Sequence, residues 1–170
     1  MIEIVRADIT TLDVDAIVNA ANSPLHGGSG VDGAIHRAAG PELVKASMRL
    51  APCHAGEAVI TPGFRLAARY VIHAVGPVWT DGQRGEQEQL KSAYDRSFAV
   101  ALEQGRIFSI AFPAISTGVY RFPKSLAAMI AIGSMRRHES QFDRIIACAF
   151  DADAEMLYHN ALEATPALNA

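Results

Sequence analysis

The pattern of apolar and polar positions along the chain predicts six strands. Four short segments are mostly apolar and rich in β-branched residues: 16–20, 70–75, 107–112 and 145–150. Such runs are typical of strands that are covered on both faces of a sheet. Residues 2–6 alternate apolar and polar side chains, which predicts a strand near a sheet edge. Residues 58–61 predict a weaker sixth strand, because Pro62-Gly63 stops it.

Helical periodicity fills the gaps between these strands. Apolar side chains share one face of segment 86–104, and Gly105 ends that helix. Another helix is expected to start with Pro123 at its first position. A last helix is capped by Asp151 or Asp153. Strands that alternate with helices predict an α/β domain, with helices on both faces of a largely parallel or mixed sheet.

Composition limits the class of protein. Half of the 170 residues are apolar and 19% are charged, which is the balance of a folded protein rather than a disordered one. We expect residues 1–170 to form one domain. The formal net charge is −3, so no specific binding to nucleic acid is expected. We expect a monomer.

The cysteines and the N-terminal sequence bear on the compartment. Cys53 and Cys148 are too few for a disulfide framework and are interpreted as reduced thiols. The chain begins without a basic segment followed by an apolar one, and no apolar run approaches the length of a membrane span. We therefore expect a cytoplasmic protein without membrane contact.

Four glycines lie within residues 27–33, after the second predicted strand. Glycine lets backbone N–H groups approach an anion, and the helix expected to follow adds the partial positive charge of its N-terminus. The segment predicts a phosphate-binding loop, with a mobile surface loop as the alternative. Its spacing also matches the dinucleotide fingerprint, but residues 21–27 separate it from its strand, so a nicotinamide enzyme is not expected.

Asp32 lies inside this glycine-rich segment. A carboxylate beside a bound diphosphate is unfavourable unless it has a task, which makes Asp32 a candidate general base. The alternative is that it caps the following helix. Asn22 precedes the segment and could hold a sugar hydroxyl or a water, although an Asx turn before Pro24 would also explain it. His36 is expected to order the junction of loop and helix.

A second candidate loop leaves the strand that ends at residue 112. Ser116, Thr117 and the backbone around Gly118 could bind a phosphate, and Tyr120 could cover a ribose ring. Asp8 follows the first strand and Phe150 ends the last one. An acidic acceptor and an aromatic face are what an adenine ring needs, whereas a helix cap and a core ring are the alternatives for these two residues.

Together these motifs resemble the macrodomain family over essentially the whole chain. They occur in family order and at family spacing at residues 8–10, 18–22, 30–36, 115–120 and 150–151. The N-A-A-N and G-V-D-G-A-I-H sequences are similar to the hydrolytic branch that includes the human MacroD proteins. The resemblance implies a three-layer α/β/α sandwich. It also implies hydrolysis of ADP-ribose esters, in O-acetyl-ADP-ribose and on acidic side chains of ADP-ribosylated proteins, without a metal or cofactor.

The resemblance also implies roles for single residues. Asn22, Asp32 and Tyr120 are placed around the distal ribose, where a water oriented by Asp32 attacks the ester, with a substrate phosphate as a possible second base. The first and last strands would meet adenine, and the two loops would hold the diphosphate. The residues it assigns to ligand contact are Asp8, Ile9, Ala21, Gly30, Val31, Gly33, Ser116, Thr117, Gly118, Val119 and Phe150.

Three positions depart from the family pattern, and one other function stays open. Ala7 and Arg121 stand where the family usually has glycine, and Ser29 interrupts the glycine run. Arg121 is expected to restrict the loop beside Tyr120. A module that binds ADP-ribose without cleaving it would need the same loops. A zinc enzyme is not expected, because Cys53-His54 has no second ligand pair, and His73 is interpreted as a hydrogen-bonded strand residue.

Overall fold

The computed structural model describes residues 1–168 and contains one six-stranded sheet. The strands are β1 (Ile2–Arg6), β2 (Ala16–Ala20), β3 (Ala58–Pro62), β4 (Tyr70–Ala74), β5 (Ser109–Phe112) and β6 (Arg144–Ala149). Their order across the sheet is β1-β6-β5-β2-β4-β3. All neighbouring pairs are parallel except β3 and β4. The predicted mixed, largely parallel sheet is confirmed, as is the position of β1 at its edge.

Within residues 1–168, five α-helices cover the two faces of this sheet. They are α1 (Gly30–Ala39), α2 (Glu42–Met48), α3 (Glu86–Gln104), α4 (Lys124–His138) and α5 (Ala152–Ala164). Alternate residues of β2 enter different cores: Val18 packs with α3, α4 and α5, whereas Ile17 packs with α1 and α2. Both residues are buried. A sheet covered on both faces explains the nearly continuous apolar strands and gives the α/β/α sandwich.

The structure defines three element boundaries more closely than the sequence pattern did. β5 begins at Ser109 instead of residue 107, and the N–H groups of Phe108 and Ser109 both donate to Oδ2 of Asp15, at 2.8 and 3.1 Å. Pro123 precedes α4 as its cap residue, with a ψ of 121°, and is not its first helical residue. Of the two candidate caps for α5, Asp151 is the one used: it accepts a 2.9 Å hydrogen bond from the Ala154 N–H.

Two helical segments differ from the sequence prediction. α2 was not predicted, since its seven residues bury only Leu43 and Ser47 and give no clear period. α1 begins at Gly30, inside the segment predicted to be a loop through Gly33. The predicted phosphate loop is therefore shorter, and its second half is the first turn of a helix. α3 has the predicted bounds and ends before Gly105.

The parallel strands bring their carboxyl ends to one edge of the sheet. The segments that leave β1, β2, β5 and β6 all emerge there, and ligand sites of such sheets lie beyond this edge. This is where the sequence motifs meet. Within residues 1–168, no helix has the length and apolar character needed to cross a membrane.

Candidate functional site

A cleft of about 700 Å³ lies at the carboxyl ends of the parallel strands. Its walls come from the segments after β1, β5 and β6 and from the first turns of α1, α4 and α5. Seven of the ligand-contacting residues predicted from the sequence line it: Asp8, Ile9, Gly30, Val31, Thr117, Gly118 and Phe150. The volume is within the range of sites that hold a drug-sized or cofactor-sized ligand.

Asp8 and Phe150 lie at one end of this cleft. Oδ1 of Asp8 accepts hydrogen bonds from the N–H and hydroxyl of Thr10 at 3.0 and 2.7 Å, so the residue does cap a short 3₁₀ turn. Its Oδ2 accepts no hydrogen bond from the described residues and stays accessible. Phe150 is 91% exposed, so the alternative of a core ring is wrong. An exposed aromatic face beside an accessible carboxylate oxygen suits a flat nitrogen heterocycle.

The N-terminus of α1 forms another wall of the cleft. Gly30 and Val31 occupy its first turn, where backbone N–H groups have no acceptor within the helix. Ser29 precedes them as the cap residue, and its side chain makes no capping hydrogen bond. Free N–H groups and the helix dipole together favour an anion at this position. An anion bound by the glycine-rich segment would thus meet a helix N-terminus rather than a loop alone.

Two other glycines of this segment serve packing. A Cβ atom on Gly33 would overlap the carbonyl oxygen of Gly28, so only glycine allows the loop to pass that close to α1. Gly33 accordingly does not line the cleft. A Cβ on Gly28 would lie 3.1 Å from Oδ2 of Asp32 and 3.6 Å from Nδ2 of Asn22. Gly28 therefore marks the point where the two predicted catalytic side chains meet.

The second loop has a strained backbone. Ser116 and Arg121 both have left-handed conformations, with φ of 66° and 61°. The Ser116 hydroxyl is turned inward and has no hydrogen-bond partner among the described residues. A Cβ on Gly76 would overlap that hydroxyl oxygen. Ser116 thus contributes its backbone to the loop, and Gly76 is needed to let the loop pack against the segment after β4.

The other predicted residues of this loop differ in position. Thr117 and Gly118 line the cleft, and the Thr117 hydroxyl donates to the Ala114 carbonyl at 2.9 Å. Val119 is 79% exposed and lies outside the cleft lining. Tyr120 is half-buried and also lies outside that lining, and its carbonyl accepts a 2.8 Å hydrogen bond from the Trp79 N–H. The structure therefore does not bring these two predicted site residues to the cleft lining.

Asp32 belongs to a buried hydrogen-bonded network of polar side chains. Its Oδ1 accepts a 2.9 Å hydrogen bond from Nδ2 of Asn19 and lies 3.3 Å from Nε2 of His36. Nδ2 of Asn19 also lies 3.2 Å from Nδ1 of His73, whose Nε2 is 2.9 Å from the Thr61 hydroxyl. The Asp32 carboxylate accepts no backbone N–H in the described part of the chain. It is therefore held by side chains and does not serve as a helix cap.

His73 is a neutral member of this hydrogen-bonded network. Its pKa is lowered to about 4, chiefly by burial and also by the nearby His36 ring, while Asp32 opposes this shift. Because an amide nitrogen only donates, Nδ1 of His73 accepts from Asn19 and Nε2–H donates to Thr61. The prediction of a hydrogen-bonded strand histidine is confirmed. Asn19 was missed as a site residue. The sequence feature that could have identified it is a polar side chain within an otherwise apolar strand.

Asn22 and His36 support the glycine-rich loop. Nδ2 of Asn22 donates to the Gly27 carbonyl at 2.9 Å, and its Oδ1 accepts from the His26 N–H at 3.4 Å. These partners are four and five residues ahead, so this is not the Asx turn considered from the sequence. A Cβ on Gly27 would lie 3.6 Å from the His36 ring, which packs beneath the loop as expected. Ala21 is buried behind Asn22 and lies outside the cleft lining.

Both cysteines are buried free thiols, and Cys148 also lines the cleft. Burial, with a smaller contribution from Glu57, raises the pKa of the Cys53 thiol to about 11. Burial also raises the pKa of Cys148, whose thiol donates to the Ala7 carbonyl at 3.2 Å. Neither thiol ionises readily at neutral pH. Within residues 1–168, no three or more His, Cys, Asp or Glu side chains are grouped as a metal site would require.

Comparison with known proteins agrees with this arrangement. The model of the Macro domain family matches residues 18–131. A macro domain-containing protein of Ralstonia nicotianae is 57% identical over 157 residues, which are 92% of this chain and 91% of that protein. An O-acetyl-ADP-ribose deacetylase of Citrobacter rodentium is 48% identical, over 95% of this chain and 94% of the enzyme.

Solved structures show the same fold. The macrodomain of Oceanobacillus iheyensis, as a glycine-to-valine mutant with ADPR, is 38% identical and superposes with a TM-score of 0.90, over 96% of this chain and 92% of that one. Other structures of that macrodomain contain ADP, or carry an aspartate-to-alanine or an asparagine-to-alanine substitution. The family match, the identities and the shared α/β/α architecture lead to one conclusion: this chain belongs to the Macro domain family.

Proposed function

We propose that this protein binds ADP-ribose and hydrolyses its esters, both O-acetyl-ADP-ribose and ADP-ribose attached to acidic side chains of proteins. One observation carries the hydrolytic part. The buried carboxylate of Asp32 is held by Asn19, and its free oxygen faces Gly28 and Asn22 beside the anion-binding helix N-terminus. A module that only binds has no need of a carboxylate next to a diphosphate site, where like charges oppose each other.

The shape of the cleft supports one orientation of the ligand. Adenine would lie between Asp8 and Phe150, and the diphosphate between the first turn of α1 and the Thr117-Gly118 backbone. The distal ribose would then extend past Gly30 toward Asn22 and Asp32. ADP-ribose bound in this way places an ester on that ribose next to the Asp32 carboxylate.

The relatives support both binding and the choice of residues. The Citrobacter relative is named as a deacetylase of O-acetyl-ADP-ribose, and the Oceanobacillus macrodomain has been solved with ADPR. In that macrodomain the mutated asparagine is at position 30 and the mutated aspartate at position 40, so they are 40 − 30 = 10 residues apart. Asn22 and Asp32 have the same spacing, and we infer that they are the corresponding residues.

The spacing of the mutated positions also gives information on Ser29, which interrupts the glycine run. The glycine replaced by valine in the ADPR-bound mutant precedes the mutated aspartate by 40 − 37 = 3 positions. Ser29 precedes Asp32 by the same number. A structure with valine and ADPR therefore supports the view that a small serine side chain at the cap of α1 is compatible with ligand binding.

The proposed reaction uses Asp32 to orient a water. The water oxygen adds to the ester carbonyl carbon, the bond from that carbon to the ribose oxygen breaks, and the proton from water passes to the ribose oxygen. Asp32 is one candidate to accept this proton in the transition state, and a phosphate oxygen of the substrate is the other. Asn22 would hold the attacking water or a ribose hydroxyl through its amide.

A non-catalytic ADP-ribose module is the competing function. Titration calorimetry with ADP-ribose tests binding, and chromatographic assays of O-acetyl-ADP-ribose and of a glutamate-ADP-ribosylated protein test turnover. The proposal predicts heat of binding together with release of acetate and of free ADP-ribose. Binding without turnover of either ester would select the binding module, and absence of binding would reject both functions.

A further inference from the structure

A second cavity, of about 520 Å³, lies on the other side of the glycine-rich loop. Its charged lining comes from Arg37 and Arg65, with His26 and His36 beside them. Within residues 1–168, no acidic side chain lines this cavity. We call these four residues and the cavity between them the basic pocket. Two guanidinium groups in one cavity are unexpected in a chain whose formal net charge is −3, and they point to an anionic occupant.

The two guanidinium groups of the basic pocket lack partners. Neither Arg37 nor Arg65 forms an ion pair or a side-chain hydrogen bond with any residue of the described chain, whereas Arg69, Arg136 and Arg144 each pair with a carboxylate. A guanidinium presents five N–H donors and favours planar, bidentate contact with carboxylates. The basic pocket therefore contains two groups of strong hydrogen-bond donors, and no described residue accepts a hydrogen bond from either side chain.

Both guanidinium groups lie near backbone at glycine positions. A Cβ on Gly40 would be 3.0 Å from Nε of Arg65, and a Cβ on Gly33 would be 3.1 Å from Nη1 of Arg37. Arg37 and Arg65 are both exposed, so an anion can reach their guanidinium groups from solvent.

The basic pocket adjoins the proposed reaction site. Gly28 lines the pocket and also faces Asp32 and Asn22, and Arg37 lines both cavities. An ester on the distal ribose would be separated from the pocket only by the loop around Gly28. The part of a substrate that lies beyond the ester therefore meets these arginines first.

We propose that the basic pocket binds acidic side chains of the polypeptide that carries the ADP-ribose, next to the modified residue. This inference depends on the proposed function, because it assumes that an ADP-ribosylated protein is a substrate. The charges of the pocket favour an acidic polypeptide, because two guanidinium groups lie close to the proposed position of the ester. The net negative charge of the rest of the chain would repel such a polypeptide elsewhere. O-acetyl-ADP-ribose has no such polypeptide, so the pocket has no part in its hydrolysis.

The test uses two peptides that carry ADP-ribose on one glutamate. One has Asp and Glu beside that residue, and the other has Ser and Gln. Fluorescence anisotropy with the full chain measures their affinities, and the same preparations are assayed for turnover of both peptides and of O-acetyl-ADP-ribose. The variants are Arg65→Ala and Arg65→Glu, with Arg84→Glu as a control, since Arg84 is exposed and lines neither cavity.

Wild type and Arg84→Glu are expected to bind the acidic peptide about tenfold more tightly than the neutral one, the effect of roughly two ion pairs. Arg65→Ala should reduce this ratio severalfold and Arg65→Glu should abolish it, while turnover of O-acetyl-ADP-ribose stays unchanged and shows that the variants are folded. An equal ratio in wild type and Arg65→Glu would overturn the inference. If the proposed function fails, wild type will not turn over either ester. The ratio of the two peptide affinities would still decide the role of the pocket in that case.

Discussion

Nδ2 of Asn19 donates a 2.9 Å hydrogen bond to Oδ1 of Asp32, and both side chains are buried. The donor belongs to the central strand β2, and the acceptor belongs to the first turn of α1. The rigid sheet thus holds the carboxylate from behind while its second oxygen faces Gly28. Groups that take part in a reaction are positioned best when the residues behind them are themselves fixed.

Replacing Asn19 tests this support. Asn19→Ala removes the donor and leaves Asp32 and His73 without a shared partner, so we expect a loss of about 1–3 kcal/mol in the free energy of unfolding. The kcat for ester hydrolysis should fall by about tenfold or more, with a smaller effect on ADP-ribose affinity. Urea unfolding, steady-state kinetics and calorimetry measure these three quantities. Asn160→Ala, at an exposed position of α5, is the control, and similar losses in both variants would contradict the role given to Asn19.

The buried His73 gives the protein a specific acid sensitivity. Its pKa is about 4 in the folded state and near 6.5 in an unfolded chain. The unfolded state therefore binds a proton that the folded state does not, and stability falls as the pH decreases from 6.5 toward 4. The loss is expected to reach about 2–3 kcal/mol at most. His73→Gln should show a smaller loss than wild type in urea unfolding at pH 7 and pH 4.5.

His159→Gln serves as the control for that experiment, because His159 is exposed on α5. It should lose stability on acidification as wild type does. If His73→Gln and wild type lost the same amount, the folded-state pKa of His73 would not be depressed.

Gly76 controls the position of the Ser116 loop. A methyl group there would overlap the Ser116 hydroxyl and lie 2.7 Å from Cγ2 of Ile115. Gly76→Ala should push the loop toward the cleft, weaken ADP-ribose binding by about tenfold and reduce stability by about 1–3 kcal/mol. Gly133→Ala, within α4, meets only ordinary contacts and should keep wild-type affinity. Calorimetry with ADP-ribose measures the effect, and wild-type affinity in Gly76→Ala would show that the loop is not restrained by this contact.

Arg121 has a left-handed backbone that costs an ordinary residue about 1–2 kcal/mol and costs glycine little. Replacing Arg121 by glycine would remove this cost, but the larger conformational entropy of glycine in the unfolded state offsets part of the gain in stability. Arg121→Gly should therefore raise the free energy of unfolding by up to about 1 kcal/mol, whereas Arg121→Val should lower it. Thermal unfolding compares them. If glycine destabilised the protein more than valine, the side chain of Arg121 would have a stabilising role that its exposed position does not suggest.

The sequence predicted the strands and the main motifs because these are local properties. β2 and β4 were found from their apolar runs, and Asn22, Gly28 and Asp32 lie close together along the chain. The contact between Asn19 and His73 was not predictable in the same way, since it depends on β2 and β4 being neighbours in a sheet whose order differs from the chain order.

Two further features of the site depend on tertiary packing. The start of α1 at Gly30 was missed because glycine usually marks the end of a helix, while here the positive φ of 60° at Gly30 lets the loop turn into the first turn of the helix. The basic pocket was missed because Arg65 is distant in sequence from Arg37 and His36. The macrodomain resemblance supplied the fold, but not which side chains hold Asp32 in place.

Single-turnover hydrolysis of O-acetyl-ADP-ribose by wild type and Asp32→Asn is the most direct test of the proposed function. Asparagine keeps the size of the side chain and an oxygen that can accept from Asn19, but it cannot take up a proton. We expect the rate of hydrolysis to fall by about 10²-fold to 10⁴-fold, with an ADP-ribose affinity within a few-fold of wild type by calorimetry. An Asp32→Asn variant that hydrolyses the ester at the wild-type rate would contradict the proposed function.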